Sequence, residues 1–321
     1  MDIPASAPQI ASSPRQELQA VISEIDTVIR GKGEIIELAV TACVARGHIL
    51  IEDIPGVGKS TLAKSIARAV GGKFNRVQFT SDLLPADLIG TNMWKASSEE
   101  FEFKPGPLFA NVVLADEVNR APPRTQSALL EAMSEFQISV DGRSLPLPAP
   151  FTVIATQNPL EHHGTYPLPE SQKDRFLIRT QIGYTDADTE AELIASSSQP
   201  DAGSIKQVLN LDSLAVAQAE ASRIFIHEDI ARYVRRIVGA TRDHPGIAVG
   251  VSTRGALAWV SLARARAYLS GLDHVSVQTL QDLAEPALAH RLAMMEPGAQ
   301  SDIQLAGELI RDLLSTVVVP T

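Results

Sequence analysis

The sequence predicts an α/β fold in which helices cover a parallel sheet, joined to a smaller all-helical part. Between residues 48 and 156, short apolar runs alternate with stretches of helical periodicity, which is typical of a parallel sheet with helices on both faces. At 321 residues the chain also exceeds the usual size of a single core, so two domains are expected. Beyond about residue 185 helical periodicity dominates, in the stretches 209–224, 228–241, 253–270 and 277–290.

Two helices are predicted to open the fold. Residues 1–12 are rich in Ala, Ser and Pro and are expected to be disordered. The run Ser13-Pro14-Arg15-Gln16 has the spacing of a capping box with proline at the first helical position, so a helix is predicted to begin there and to continue through Ile29. Two glycines then interrupt the pattern, and a second helix is predicted from Ile36 to Gly47.

The central sheet is predicted from four apolar strands and two inserted hairpins. The hairpins are predicted at 93–104 and 137–147, where residues alternate around a polar tip. The second contains Asp141-Gly142, a signal for a two-residue hairpin turn. The strands are predicted at 48–51, 74–79, 112–116 and 151–156, with helices at 60–70 and 122–136.

The turn after the first strand has the residues that hold a triphosphate. Gly56 and Gly58 allow backbone amides to converge on phosphate oxygens, and the following helix directs its positive amino end at the same place. Lys59 would neutralise the β and γ oxygens, and Ser60 would bind magnesium. The usual pattern begins with glycine where this chain has Asp53. The strand–turn–helix context favours nucleotide binding over a chance match.

Polar residues end the next two strands of the predicted sheet. Asp116 lies where an open α/β sheet places its ligands and would hold magnesium, with Glu117 as the general base toward water. Asn158 ends the strand predicted beside it and would orient that water against the γ-phosphate. The structural alternatives are an exposed pair of carboxylates and an Asn-Pro turn. Together with the Lys-Ser pair, these residues predict nucleoside-triphosphate hydrolysis.

Arg175, followed by the apolar Phe176, is a candidate for a contact between subunits. An arginine supplied across a subunit boundary stabilises the transition state of phosphoryl transfer. From the sequence alone, a surface salt bridge is an equally good interpretation of this residue.

Composition excludes some classes of function. The net charge of −10 argues against general affinity for nucleic acid or anionic membranes. The most apolar stretch, residues 35–51, is interrupted by charged residues, so no membrane span is predicted. The first residues lack the basic start and apolar run of a signal peptide, and a cytoplasmic location is therefore expected.

Eight stretches of the chain resemble the MoxR branch of the AAA+ ATPases. The resemblance extends over roughly residues 28–320, and in that family aspartate is the ordinary residue at the position of Asp53. It therefore favours a AAA+ protein over a generic phosphate-loop NTPase. The stretches are residues 52–60, 78–80, 82–85, 106–109, 115–123, 126–133, 155–159 and 164–170.

The resemblance implies a AAA+ P-loop NTPase core, an αβα sandwich at residues 13–190, and a small all-α lid domain at residues 200–321. It identifies the two hairpins as the helix-2 insert and the pre-sensor-1 hairpin, which face the pore in related rings. The glycine-rich turn becomes the Walker A motif and the Asp-Glu strand end the Walker B motif. The residues implied to bind ATP are Ile29, Gly31, Pro55, Gly56, Val57, Gly58, Lys59, Ser60, Thr61 and Asp116, with Ile29 and Gly31 against the adenine.

Three further catalytic positions are implied beside Glu117. Asn158 matches sensor 1, Arg175 matches the arginine finger, and Arg254 matches sensor 2. Thr253 stands where the family more often has proline, so this chain departs from the family at the start of that helix.

Members of this family are typically chaperones that mature client complexes or insert their cofactors, often with a partner that bears a von Willebrand factor A domain. The resemblance thus implies a remodelling ATPase that uses ATP and Mg²⁺, forms a homo-oligomeric and usually hexameric ring, and acts on a protein client. Two alternatives are a nucleotide-switched assembly module with little turnover and a nucleic-acid remodelling ring. The intact Asp-Glu pair argues against the first, and the acidic charge argues against the second.

Overall fold

A computed structural model describes residues 13–159, 164–196, 201–295 and 301–320. The disorder predicted for residues 1–12 lies outside this range. The elements up to residue 196 are α1 Pro14–Asp26, α2 Gly33–Val44, β1 Ile49–Glu52, α3 Lys59–Ala69, β2 Phe74–Gln78, α4 Pro85–Ile89, β3 Gly90–Lys95, β4 Glu100–Pro105, β5 Val112–Asp116, α5 Pro123–Glu135, β6 Gln137–Val140, β7 Arg143–Pro146, β8 Thr152–Gln157, α6 Glu170–Lys173, β9 Ile178–Thr180 and α7 Ala187–Ser196.

The remaining described residues form a mainly helical part. The four helices predicted there are confirmed, with ends that differ by a few residues. A fifth helix and a short antiparallel pair of strands were not predicted. These elements are α8 Leu211–Ser222, α9 Glu228–Asp243, β10 Ile247–Val249, α10 Thr253–Leu269, α11 Val277–Leu288, β11 Ala293–Met294 and α12 Ser301–Thr316.

The central sheet is parallel throughout and has the order β2-β5-β8-β1-β9. Strands β1, β5 and β8 are buried along their whole length, in keeping with a sheet covered on both faces. The predicted α/β class is therefore confirmed. Strand β9 was missed because three residues are too few to show a periodic pattern. It forms the edge of the sheet next to β1 and continues from the segment that contains Arg175.

Alternate residues of the strands face two separate apolar clusters. One cluster contains Ile49 and Ile51 of β1 and extends through α1, α2 and α3 to the helices after residue 205. The other contains Leu50 and the residues of α5 and the hairpins. The first cluster thus joins the helical part to the sheet, while a division of the chain into residues 13–190 and 200–321 stays a prediction.

Helix α1 begins as predicted but ends earlier. The Ser13 hydroxyl accepts from the Gln16 amide while the Gln16 side chain accepts from the Ser13 amide, which completes the capping box. The helix ends at Asp26, and the expected continuation to Ile29 is wrong. Val28 and Ile29 are buried in the turn that follows, so their apolar character serves packing outside the helix.

Both predicted hairpins are present as antiparallel pairs, β3 with β4 and β6 with β7. Asp141 and Gly142 have φ of 48° and 75°, as a tight two-residue turn requires. The Asn92 side-chain amide donates to the Asp141 carboxylate, so the first hairpin contacts the tip of the second. No helix in the described part of the chain is both long and apolar enough to span a bilayer.

His48, at the start of β1, makes the folded state sensitive to acid. Its imidazole is buried, Nδ1 accepts from the Val153 amide at 3.0 Å, and Nε2 donates to the Met133 carbonyl at 2.9 Å. Burial lowers the pKa of His48 from 6.5 to about 4. Between these two values the unfolded chain binds a proton that the folded chain does not, so stability declines as the pH falls through this window.

We expect His48 to contribute a loss of about 3 kcal/mol in the free energy of unfolding between pH 6.5 and 4, and none above pH 7. Urea denaturation at pH 7, 6, 5 and 4 measures this loss. His48→Gln retains an acceptor and a donor but does not titrate in this range, so its stability should fall less steeply. Equal slopes for the two proteins would contradict the assignment to His48.

Candidate functional site

At two positions of the loop between β1 and α3, the backbone has a conformation that only glycine adopts without strain. Gly56 and Gly58 have φ of 88° and 97°, in the left-handed region. Helix α3 begins directly afterwards at Lys59, so its free amides open onto the loop. The Lys59 ammonium donates to the carbonyls of Asp53 at 2.7 Å and Ile54 at 2.9 Å. The loop therefore surrounds a cation at the amino end of a helix.

Partial burial lowers the pKa of Lys59, while the carboxylates of Asp53, Asp116 and Glu117 oppose this effect. The same carboxylates place negative charge around the ammonium. Lys59 is therefore a positive group inside the loop, close to acidic side chains, and its charge is available to an anion that enters the loop.

Asp53 stands where the common motif has glycine, and its side chain ties the loop to the segment after β9. Its carboxylate accepts from the Ile54 amide at 2.8 Å and from the amides of Ile182 and Gly183 at 2.7 Å each. The residue is buried, and its φ does not lie in the left-handed region. Asp53 thus satisfies three backbone donors, and the backbone at this position does not require glycine.

Asp116 ends β5 and lies between two side chains of the adjacent strands. Its Oδ1 accepts from the Thr156 hydroxyl of β8 at 2.6 Å. Its Oδ2 accepts from the Arg76 guanidinium of β2 at 2.7 and 3.1 Å. The carboxylate is buried and held by both of its oxygens, and it lines the same cavity as Lys59.

Glu117 follows with φ of 58° and ψ of 51°, which is rare for a residue with a side chain and is typical of functional positions. Its amide donates to the Thr156 hydroxyl at 2.9 Å, which stabilises this backbone turn. Its carboxylate accepts from Gln78 at 2.7 Å and from Arg120 at 2.9 Å. The half-buried side chain is therefore positioned by two neighbours, and its backbone by a third.

These residues line one cavity of about 350 Å³ at the carboxyl edge of the sheet. Asn158, directly after β8, reaches the same cavity because β8 pairs with both β1 and β5. The parallel register thus collects groups that are up to 103 residues apart in the sequence. The lining residues are Pro55, Gly56, Gly58, Lys59, Ser60, Thr61, Arg76, Gln78, Asp116, Glu117 and Asn158.

A second cavity of about 370 Å³ shares a wall with the first. Its apolar lining and its size fit a planar heterocycle, and Tyr184 and Leu193 extend the set predicted from the sequence. Gly31 does not line it; its φ of 71° and its approach to Asp186 require glycine for backbone reasons. The lining residues include Val28, Ile29, Lys32, Pro55, Val57, Thr61, Tyr184 and Leu193.

The oxygen donors of the first cavity fit Mg²⁺ bound together with a phosphate. Ser60 supplies a hydroxyl and Asp116 a carboxylate, the hard ligands that Mg²⁺ prefers, and Mg²⁺ usually completes its shell with phosphate oxygens and water. Among the described residues, no group of three or more His, Cys, Asp or Glu residues could hold a metal by itself. A metal here would therefore depend on the nucleotide.

Arg175 and Arg254 lie away from this cavity. Arg175 comes directly before β9, and the Leu177 amide donates to the carbonyl of His48, which precedes β1. Arg175 is therefore at the amino edge of the sheet, whereas the loop with Lys59 follows the carboxyl end of β1. Its guanidinium donates to the Leu130 carbonyl at 2.8 Å and to the Ser134 hydroxyl. The structure does not bring it to the other predicted site residues.

Arg254 is the second residue of α10 and is exposed. The N-cap residue of this helix, Ser252, contacts the Asp174 carboxylate at 3.3 Å. Arg254 is thus near Arg175 rather than near Lys59. Both arginines therefore lie at the amino edge of the sheet. The loop that contains Lys59 lies at the carboxyl edge.

Comparison with known proteins identifies the relatives of this architecture. The family model for ATPases associated with various cellular activities matches residues 48–178, and the AAA lid domain model matches residues 239–313. The chain is 40% identical to Chaperone MoxR1 of Mycobacterium tuberculosis over 314 residues, which cover 94% of this chain and 82% of the relative. It is 41% identical to the protein YeaC of Bacillus subtilis over 305 residues, covering 94% and 95%.

A solved structure agrees with the same assignment. The crystal structure of a putative ATPase from Cytophaga hutchinsonii superposes with a TM-score of 0.86 at 33% identity, covering 96% of each chain. The matches extend through the sheet, the hairpins and the helical part, and they cover nearly the whole chain. This protein belongs to the MoxR family of AAA+ ATPases.

Proposed function

We propose that this protein is a Mg²⁺-dependent ATPase that hydrolyses ATP at sites shared between the protomers of a ring, and that it uses the energy to remodel a protein client. The observation that carries the proposal is the separation of the predicted catalytic groups on one sheet. Lys59, Ser60, Asp116, Glu117 and Asn158 belong to the carboxyl edge, and the two arginines belong to the amino edge.

Arg175 is far from the cavity of its own protomer, which supports a site shared between protomers. Strand β1 alone spans roughly 13 Å at about 3.3 Å per residue, and Arg175 precedes the level of its first residue. An arginine side chain does not bridge that distance. In a head-to-tail ring, however, the amino edge of one sheet can face the carboxyl edge of the next, which brings the arginines to the neighbour's nucleotide.

The residues of the cavity have separate tasks in this proposal. Lys59 leaves the carbonyls of Asp53 and Ile54 and pairs with phosphate oxygens. Ser60 and Asp116 would hold Mg²⁺, which would supply positive charge to the phosphates. Asn158 orients a water, and Glu117 accepts its proton as the water oxygen bonds to the γ-phosphorus. The bond to the β-phosphate oxygen breaks, and ADP and phosphate result.

In the proposal, the second cavity holds the base of a purine nucleotide. Its wall includes Ile29 before α2, Val57 in the loop and Leu193 of α7. Helix α7 and Tyr184 belong to the segment that leads into the helical part, so the occupied pocket would bring this segment against the sheet. We include in the proposal that the helical part moves as a lid. The boundary between the two domains would then lie at residues 190–200.

The chaperone-like role draws on the name of the relative MoxR1 and on the exposed face of the first hairpin. Trp94 is 57% and Phe101 69% exposed, and their rings pack edge to face at 5.2 Å. Exposed aromatic residues of this kind are typical of protein contacts. We include in the proposal a hexameric ring, a cytoplasmic location, a partner with a von Willebrand factor A domain and no nucleic-acid substrate.

The dependence of ATP hydrolysis on protein concentration tests the shared site. We expect turnover per protomer to rise with concentration as rings form, and light scattering after size exclusion should show a larger particle with ATP than without it. A turnover per protomer that stays constant from the monomer range upward would overturn the shared site. If the protein bound ATP and assembled but did not hydrolyse ATP, the result would instead favour the nucleotide-switched assembly module.

A further inference from the structure

Arg291, between α11 and β11, is a buried cation that holds the backbone on both sides of Arg175. Its guanidinium donates to the Asp174 carbonyl at 2.9 Å and to the Phe176 carbonyl at 2.6 Å, and it pairs with the Asp174 carboxylate. Its Nε donates to the Ala287 carbonyl at 2.7 Å. The residue is 5% exposed. One side chain of the helical part thus binds the two residues that flank Arg175.

Two neighbours strengthen the same connection. His290 Nε2 donates to the Phe176 carbonyl at 3.1 Å, which adds a second donor from the helical part. Ser252, the N-cap of α10, contacts the Asp174 carboxylate at 3.3 Å. The segment before β9 is therefore fixed to the start of α10 and the end of α11, the same part of the chain that carries Arg254.

If the buried ion pair of Arg291 and Asp174 served packing alone, apolar side chains could replace it without loss of stability. Burial lowers the pKa of Arg291, and the Asp174 carboxylate counteracts this by stabilising the charged form. Buried ion pairs contribute little to net stability compared with apolar side chains, because both ions lose their hydration. What the ion pair does provide is a defined geometry, since a planar guanidinium with several donors fixes its acceptors in direction as well as in distance.

We propose that Arg291 and Asp174 form a latch that positions Arg175 and makes it move with the lid. The inference rests on the proposed shared site, in which Arg175 acts on the neighbour's nucleotide. Arg291 and Asp174 are positioning residues, because neither is placed to touch the nucleotide. With the latch intact, the lid, Arg175 and Arg254 approach the neighbouring protomer as one body, and a change in lid position at one site changes the arginine contact at the next.

Arg291→Gln is expected to lower turnover by about 100-fold, the effect of a displacement of about 1 Å in a catalytic group. The affinity of each protomer for a fluorescent ATP analogue should stay within threefold, since the nucleotide cavity is at the other edge of the sheet. Arg266→Gln is the matched control. Arg266 also joins the helical part to the sheet side of the molecule, through Glu37 of α2, but does not contact the segment with Arg175.

Mixed rings separate the latch from a general structural role. Glu117→Gln protomers lack the base but retain the arginines, so they should restore hydrolysis to Arg291→Gln protomers when the two are mixed one to one. The same mixture should restore Arg175→Ala protomers. A mixture of Arg291→Gln with Arg175→Ala should stay inactive, because both lack a working arginine contact.

Asp174→Asn serves as a second variant that retains the size of the side chain and leaves the backbone bonds of Arg291 in place. It should lose about tenfold in turnover with the same pattern of restoration, and its melting temperature reports on folding. Turnover of both variants within threefold of the unchanged protein would overturn the latch. The latch would also be overturned if Glu117→Gln protomers restored hydrolysis to Arg175→Ala protomers but not to Arg291→Gln protomers. Full activity of Arg175→Ala itself would instead overturn the shared site on which the latch rests.

Discussion

Arg175→Ala is expected to lower ATP turnover by about 10³–10⁵-fold while the affinity of an isolated protomer for ATP stays unchanged. The reason is the position of Arg175 at the amino edge of the sheet, on the far side from its own nucleotide cavity. Its guanidinium contributes only when a neighbour presents a γ-phosphate to it. In this variant we therefore expect a large loss of ATP turnover and no change in the affinity for ATP.

Steady-state hydrolysis and titration with a fluorescent ATP analogue measure the two quantities independently. Arg232→Ala is a suitable control, because Arg232 is an exposed arginine of α9 whose ion pairs within the described chain are with Glu228 and Asp229 of the same helix. Such exposed pairs contribute little to stability. If Arg175→Ala hydrolysed ATP at the normal rate, the shared-site arrangement would be wrong.

Glu117→Gln is expected to lower turnover by about 10²–10⁴-fold, the usual contribution of a general base. Glutamine has the size of glutamate and can still accept from Gln78 and Arg120, so the turn after β5 should retain its conformation. It cannot take a proton from water, and ATP should therefore remain bound without reacting. We expect the ATP-dependent particle to persist in this variant.

Burst and single-turnover measurements distinguish this outcome from a defect in product release, because only a slow chemical step removes the first turnover as well. Glu228→Gln, on the exposed face of α9, controls for the loss of one negative charge. A Glu117→Gln protein with normal single-turnover rates would assign the base to another group.

The contacts of Asp116 and Glu117 indicate what the proposed hydrolysis would require of the site. Arg76 pairs with Oδ2 of Asp116, and Gln78 and Arg120 both donate to the carboxylate of Glu117. In the proposed mechanism, a metal at Asp116 and a water at Glu117 would compete with side chains of β2 and of the turn after β5. We therefore expect these contacts to be exchanged when nucleotide binds.

Much of the nucleotide cavity was predictable because its chemistry is local. Gly56 and Gly58 are needed wherever a loop turns tightly around phosphate, and Lys59 follows them directly. Asp116 and Asn158 end neighbouring strands, and the parallel topology places the ends of such strands at one edge. The α/β class, the four central strands and both hairpins are confirmed for the same reason, since each depends on a periodic or turn pattern within a few residues.

Other contacts in and around the cavity are not encoded by any local pattern. Gln78 reaches Glu117 only because the register of β2 and β5 places Gln78 beside Asp116. Thr156 binds both acidic residues from a third strand. Asp53 accepts from the amides of Ile182 and Gly183, which are 129 and 130 positions away in the sequence and reach it because β9 pairs with β1.

The sequence by itself determined the glycine-rich loop, the acidic strand end and the α/β class, because each depends on residue patterns that are local in the sequence. Only the tertiary structure decided that Arg175 and Arg254 lie at the opposite edge from Lys59, and that Arg291 binds the backbone around Arg175. The contacts that establish these relations join residues 45, 78 and 115 positions apart, and they follow from the addition of β9 beside β1 and the packing of the helical part.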